Sequence, residues 1–348
     1  MSVRITDCTI RDGGYLLKKN SDPEFVKGIM KGLADAGIDF VETGFLQTNV
    51  TGESLVYANS IDARKYLPAN KGRTHFLGFC DNSRYSPDNL DPYDGNSFKW
   101  LRISFAKHEI DDSLVFCKRA QEKGYTVQFN PMDAISYTDE ERAILIEKVN
   151  NVKPGSMSIV DTFGAMYLED LVHIFKQMDS LLDPDIAIGL HSHDNLGLST
   201  ALAETMIMLA KEKDRDIIVD GSLLGMGRGA GNASTELLAS YLNKHHDANY
   251  DIPALLDTIE KYIVPLQTDI HWGYDLSMFV CGTQHSHVDN VYYLKDNTEC
   301  TVRSMYETID TMPISQRTRY GTGYSKTDFT NLQKAYDEYI KMGGEGRK

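Results

Sequence analysis

Two histidines, His191 and His193, stand two residues apart directly after the apolar run 185–190. On an extended strand, residues i and i+2 project from one face, so both imidazoles would converge on one spot. Such a pair can bind a metal, or can simply be polar residues at a fraying strand end. Taken alone, the spacing favours the plainer case. Asp12, in the segment Thr9 to Gly14, could supply the carboxylate that turns two histidines into a facial metal site. That donor set leaves three octahedral positions open, which catalysis needs and a structural site does not. Asn232, at the end of the glycine-rich stretch that starts at Gly225, could add an amide oxygen. No cysteine accompanies them, which argues against structural zinc. Oxygen-rich donors favour Mn²⁺ or Mg²⁺, with Zn²⁺, Co²⁺ and Fe²⁺ also open. Arg11, beside Asp12, is either a strand-end arginine paired with Glu42 or a fixed cation for a developing oxyanion. Both hold if Glu42 orients Arg11.

These residues meet only if the fold brings distant segments together. Short β-type runs alternate with helical patterns along the chain: Val3–Cys8, Phe40–Gly44, His75–Phe79, Trp100–Ser104, Thr126–Asn130, Ser156–Val160, Ile186–Leu190 and Asp216–Asp220. Helices are expected at about 23–36, 54–66, 112–123, 167–178, 199–211 and 233–243, with a capping box at Thr138 to Glu141 opening another. Eight such units in this length predict a (β/α)8 TIM barrel, an α/β fold, with a doubly wound sheet as the alternative. Function gathers at the C-terminal ends of barrel strands, and closure sets the seventh, eighth and first strands side by side. That places His191, His193 and Asp12 at one mouth. Residues 1–245 form the expected barrel domain, and 246–348 a mainly helical C-terminal extension packed on it.

Composition narrows the function classes. The 348 residues carry a formal charge of −14, which argues against nucleic acid or an anionic membrane as partner. No apolar run is long enough to span a bilayer, and the N-terminus enters a strand without a leader pattern. Five scattered cysteines with no C-x-x-C spacing suit reduced thiols and a cytoplasmic location. Gly225-x-Gly227-x-x-Ala230 fits a dinucleotide fingerprint only weakly, because it falls at the eighth unit rather than the first. The glycines more simply let the loop approach an anionic substrate. His285-x-His287 is read as structural, since i and i+2 diverge on a helix, although one of the two could reach over the barrel mouth.

Four ordered motifs, DCTIRDGG, FVETGF, HSHDNLGLSTA and GMGRGAGNASTE, resemble those of the DRE-TIM metallolyase superfamily. DTFGAM and VDGSLLGMGRGAGNA look most like 4-hydroxy-2-oxovalerate aldolases. The resemblance implies a lyase cleaving, or forming, a 4-hydroxy-2-oxo acid to pyruvate plus an aldehyde through a metal-bound enolate. It implies Asp12, His191, His193 and Asn232 as metal ligands, Arg11 on the enolate, Glu42 holding Arg11, and Thr162 near the substrate carboxylate. One departure stands out. Where the aldolases carry a base histidine, this chain has Tyr15, a poor base near its ordinary pKa of about 10 unless a charge lowers it. A histidine of the extension, His285 or His287, could substitute. Implied partners are a small 2-oxo acid and an aldehyde. A homo-oligomer is left open, and an aldehyde dehydrogenase partner is not assumed. The alternatives are a Claisen-type acyl-CoA condensing enzyme or lyase of the same superfamily, and a non-catalytic binding protein on the same barrel.

Overall fold

The computed structural model describes residues 1–17, 22–48, 50, 55–319, 328–344 and 346. Eight parallel strands run in chain order: β1 (Val3–Asp7), β2 (Phe40–Leu46), β3 (His75–Asp81), β4 (Trp100–Phe105), β5 (Thr126–Pro131), β6 (Ser156–Asp161), β7 (Ala187–Ser192) and β8 (Ile217–Gly221). Each pairs with the next. β1 pairs with both β8 (Val3 with Ile217, Asp7 with Gly221) and β2 (Thr6 with Phe40), so the sheet closes on itself. The expected TIM barrel is therefore the observed fold.

The helices follow local sequence signals. α1 (Pro23–Asp35) begins with proline at its first position, and the Asp22 carboxylate accepts the Glu24 N–H. α2 (Ile110–Glu122) follows β4, and α3 (Asp139–Val152) opens with the Thr138/Glu141 capping box. α4 (Leu168–Leu181), α5 (Ser199–Lys213) and α6 (Thr235–His245) follow β6, β7 and β8. One expectation fails. The helix predicted over 54–66 is instead a two-residue strand, Val56–Tyr57, beside β2, followed by a 3-10 turn at Asp62–Tyr66; Ser54 lies outside the described residues. Val56 and Tyr57 are strand formers, and the Asn59 side chain accepts the Ile61 and Asp62 N–H groups, a local bond that competes with a helix start.

The barrel interior is layered. Phe40, Leu77, Ala187 and Ile218 form an apolar plug from β2, β3, β7 and β8, with Trp100 against it. Glu42, Arg102, Gln128 and Asp220, all but fully buried, lie further along β2, β4, β5 and β8 toward the C-terminal ends. Beyond the barrel, α7 (Ile252–Thr258) and the helical turn that follows it (Ile259–Ile263) share the barrel's own apolar core through Leu255, Ile259 and Ile263. α8 (Leu276–Thr283), α9 (Val288–Asn297), α10 (Val302–Asp310), α11 (Ile314–Thr318) and α12 (Thr330–Lys341) complete the chain. A second apolar core, including Met278, Val291, Leu294, Met305 and Leu332, joins α8, α9, α10 and α12 and takes in Ala230 of the glycine-rich loop after β8. The extension is thereby rooted at the face of the barrel where the strands end. No helix among the described residues is long and apolar enough to cross a membrane.

Candidate active site

Asp12, His191 and His193 come together as the sequence spacing predicts, with one ligating atom from each within 4.8 Å of the others. A single helical turn, Thr9–Asp12, presents Arg11 and Asp12 directly after β1. That turn is tied to the neighbouring loop, because the Leu223 N–H donates to Thr9 Oγ1 at 2.7 Å. His191 stands on β7. His193 pairs through its backbone with Asn232 in an isolated antiparallel bridge.

Each imidazole has its second nitrogen engaged. His191 Nδ1 lies 2.9 Å from Asp220 Oδ2, and His193 Nδ1 lies 3.2 Å from the Gly231 carbonyl. Both partners accept, so both rings carry hydrogen on Nδ1 and a lone pair on Nε2, the arrangement usual in ligating histidines. Burial pushes His193 down to about 4, leaving it neutral at physiological pH. For Asp12, burial works against the charge, but Arg11 and the two imidazoles outweigh it and hold the carboxyl at about 2. A neutral His193 and an ionised Asp12 are the protonation states that a cation requires.

Asn232 adds a fourth donor. Its amide N–H donates to Asp12 Oδ2 at 2.5 Å, which turns the amide so that Oδ1 is its other end. That oxygen is buried and has no protein partner. A buried orphan acceptor is costly, on the order of 1–3 kcal/mol. Beside a carboxylate and two imidazole lone pairs, a cation would satisfy it. The residues present therefore fit a divalent metal, and the absence of thiolate among them suits Mn²⁺ or Mg²⁺ better than structural zinc.

Behind these donors runs a chain of ion pairs. Arg11 Nε donates to Glu42 Oε2 at 2.6 Å and Nη1 to Asp12 Oδ1 at 2.8 Å, with the guanidinium 4.6 Å from the Phe79 ring centre. Glu42 Oε1 lies 3.2 Å from Arg102 Nη1. Arg102 in turn forks onto Asp220 at 2.5 and 3.0 Å and onto Gln128 Oε1 at 3.0 and 2.7 Å. Asp220 closes the path at His191. Burial opposes its charge, yet Arg102 and His191 hold it down at about 2. Arg102, Gln128 and Asp220 carry no role in the sequence reading. The signal was present: a parallel barrel strand is normally a near-continuous apolar run, and an arginine or aspartate inside one demands a partner.

The glycines of the loop after β8 serve close packing. A Cβ on Gly227 would stand 2.3 Å from Asn232 Nδ2 and 2.5 Å from Asp12 Oδ2. Gly231, at φ +88°, has room for no side chain, since its Cβ would meet the Gly225 carbonyl at 1.8 Å. The loop must be this bare to bring Asn232 onto Asp12.

The chamber over the site is lined by Arg11, Asp12, Thr162, His191, His193 and His287, with Tyr15 at its rim. Thr162 Oγ1 accepts the Asp133 N–H at 2.8 Å. Tyr15 remains 38% exposed. Its ring packs edge-on against Phe45, with the Arg228 guanidinium 5.3 Å from its centre. Burial raises its hydroxyl above the ordinary phenol value despite the nearby arginines, so Tyr15 keeps its hydrogen at neutral pH. Of the two extension histidines, His285 is held by Asp133 (Nε2 to Oδ1, 2.6 Å), while His287 reaches the chamber wall. The Asp289 N–H donates to His287 Nδ1 at 3.2 Å, so His287 N-caps α9 and its hydrogen sits on Nε2.

The chain is similar in sequence and in fold to known proteins. The sequence model of the HMGL-like family matches residues 101–261. The chain is 29% identical to a 4-hydroxy-2-oxovalerate aldolase of Thermomicrobium roseum, over 76% of this chain and 73% of that protein. It is 27% identical to an oxaloacetate decarboxylase of Mycobacterium tuberculosis, over 73% and 74%. Among solved structures, the N-terminal domain of a Bacteroides vulgatus protein described as a candidate aldolase superposes with a TM-score of 0.71 at 25% identity, covering 85% of this chain and 97% of that one. The carboxyl transferase domain of Rhizobium etli pyruvate carboxylase, solved with pyruvate, aligns over 98% of this chain and 62% of that one (TM-score 0.68, 11% identity) and shows the fold alone.

Proposed function

We propose, from the premise that the chain carries an HMGL-like domain of the DRE-TIM type and is a carbon–carbon lyase, that it cleaves a 4-hydroxy-2-oxo acid to pyruvate and an aldehyde with a divalent metal. One observation carries this most directly. A buried arginine is locked between Glu42 and Asp12 beside a donor set whose amide oxygen, Asn232 Oδ1, has no protein partner.

Asp12, His191, His193 and Asn232 would hold the metal. When bound, it supplies a Lewis acid that polarises the 2-oxo group. Arg11 adds a second positive charge at the same chamber, fixed by its two carboxylate partners so that no reorganisation is needed as charge builds on the C2 oxygen. A donor placed in this way is worth roughly 10²–10³ in rate. Once the 4-hydroxyl proton passes to solvent water at the open mouth of the chamber, the C4 oxygen becomes the aldehyde carbonyl and the C3–C4 pair moves into a C2–C3 double bond, to which solvent returns the proton. Protonation at C3 then gives pyruvate. Tyr15, held protonated, donates a hydrogen bond to a substrate oxygen at the rim. Thr162 lines the same chamber and takes the substrate carboxylate. His287 donates from Nε2. Mn²⁺ or Mg²⁺ is the preferred ion.

The test is a retro-aldol screen over 4-hydroxy-2-oxo acids of graded length, reading pyruvate release with Mn²⁺ and after chelation, with parallel arms for oxaloacetate and for acetyl-CoA plus a 2-oxo acid. Chelator-sensitive pyruvate release from a 4-hydroxy-2-oxo acid is expected. Turnover of the acyl-CoA or of oxaloacetate without aldol cleavage would replace the proposal with a Claisen or decarboxylase activity.

A further inference from the structure

The reacting chamber, about 80 Å³, opens into a wider vestibule of about 380 Å³. Tyr15, Arg228 and His287 belong to the walls of both. The vestibule adds Asp81, Arg84, Asp289 and Tyr292. Its volume exceeds that of the chamber severalfold, so a substrate held at Arg11 has room to extend outward well beyond a short alkyl group.

The walls say what kind of extension fits. Their four charges form two ion pairs. Arg228 Nη2 lies 2.5 Å from Asp289 Oδ1, and Arg84 Nε lies 3.5 Å from Asp81 Oδ2. The pairs cancel. An anionic ligand would gain from two guanidiniums only by facing the carboxylates held beside them. An alkyl chain would meet apolar wall at Leu16, Phe79 and Met132, but it would displace water from these partly exposed ion pairs and return no hydrogen bond. A hydroxyl suits both members of each pair, because it donates to a carboxylate and accepts from a guanidinium. Tyr15 and Tyr292 add aromatic surface for the C–H faces of such a chain. Burial raises the Tyr292 hydroxyl above its ordinary value, so it also remains a donor.

We infer that the vestibule is the subsite for a polyhydroxylated, sugar-like aldehyde, and that the full substrate is a 2-oxo acid with a hydroxylated tail. The inference rests on the aldolase reading above and names the substrate class of that same site.

The test runs the reaction as a condensation of pyruvate, with Mn²⁺, onto three aldehydes of equal carbon count: butanal, D-erythrose and erythrose 4-phosphate. Deuterium exchange at the pyruvate methyl group is followed separately. Wild-type protein should favour erythrose over butanal in kcat/KM by on the order of tenfold or more, as expected where a site hydrogen-bonds substrate hydroxyls. The phosphate should bring no further gain. Arg84→Ala, at a solvent-facing position, should narrow the erythrose-to-butanal ratio. Intact exchange with butanal equal or better, with erythrose 4-phosphate strongly preferred, with none of the three aldehydes condensed, or with an unchanged ratio in Arg84→Ala, overturns the subsite alone. Loss of exchange itself overturns the aldolase reading beneath it.

Discussion

Replacing Asp220 by asparagine changes one charge at a residue that does not line the chamber, and should weaken metal binding at the proposed site through His191. Asp220 Oδ2 accepts from His191 Nδ1 at 2.9 Å and from Arg102 Nη1 at 2.5 Å, and Oδ1 accepts from Arg102 Nη2 at 3.0 Å. An amide keeps the shape but loses the anion, and only one of its two ends can accept. Partners of this kind behind a ligating histidine typically contribute 10–100-fold in metal affinity. At about 1.4 kcal/mol per tenfold, the expected loss is roughly 1.4–2.8 kcal/mol of binding. Stability should fall as well, but by less than the roughly 3–5 kcal/mol of a buried ion pair stripped of its partner, because Arg102 retains Gln128 Oε1 and the Glu42 carboxylate 3.2 Å away. The pH dependence has a definite sign. Asp220 is held at about 2 in the folded protein, below its ordinary 3.8. Its contribution is therefore complete above pH 3.8 and lost as pH falls toward 2, and Asp220→Asn should lack that acid-sensitive component. Mn²⁺ titration by calorimetry gives the affinity, and thermal melts of metal-free protein give the stability. An unchanged Mn²⁺ affinity in a folded Asp220→Asn protein would refute the reasoning that His191 is a ligand oriented by this carboxylate.

Three further outcomes follow from the same geometry. Arg11→Lys cannot fork between Glu42 and Asp12, so kcat should drop by roughly 10²–10³ while Mn²⁺ still binds; near-wild-type kcat would remove Arg11 from the chemistry. Gly227→Ala alters no ligand, yet its methyl group would press on Asn232 and Asp12, so Mn²⁺ affinity should fall sharply, and a wild-type titration would count against the packing argument. Asp161 accepts the Ala165 and Met166 N–H groups at the end of β6, and burial raises its carboxyl to about 7. Because its folded value lies above 3.8, the stability it contributes is fully present below that pH and lost as pH rises toward 7. The Tm of Asp161→Asn relative to wild type should therefore climb between pH 4 and pH 8, and a flat difference would contradict the shift.

Much of the fold was legible because the signals were local. Proline and aspartate at the start of α1, the Thr138/Glu141 box, and eight β-type runs at barrel spacing each state their structure within a few residues. The first layer of the site was legible by topology: once the barrel closes, Asp12, His191 and His193 have to share a mouth, and Glu42 has to lie beside Arg11. Two things were not. Arg102, Gln128 and Asp220 read as strand residues among apolar neighbours, and only the register of β4, β5 and β8 shows that they meet inside the barrel. That His287 rather than His285 reaches the chamber, from a turn between α8 and α9 and not from a helix, depends on how those helices dock on the loop after β8, a long-range packing that no local pattern encodes. The helix expected over 54–66 failed because two strand formers there, Val56 and Tyr57, pair with β2.

The central claim is that Arg11 and the metal-binding cluster together hold an enolate of pyruvate. The direct measurement is proton exchange at the pyruvate methyl group in D₂O, followed by NMR with Mg²⁺-loaded protein, chelator-treated protein and the Asp12→Ala variant. The account predicts enzyme-dependent exchange with the loaded wild type, and none after chelation or in Asp12→Ala. Exchange that persists without the metal or without Asp12, or its absence from loaded wild-type protein, would contradict it.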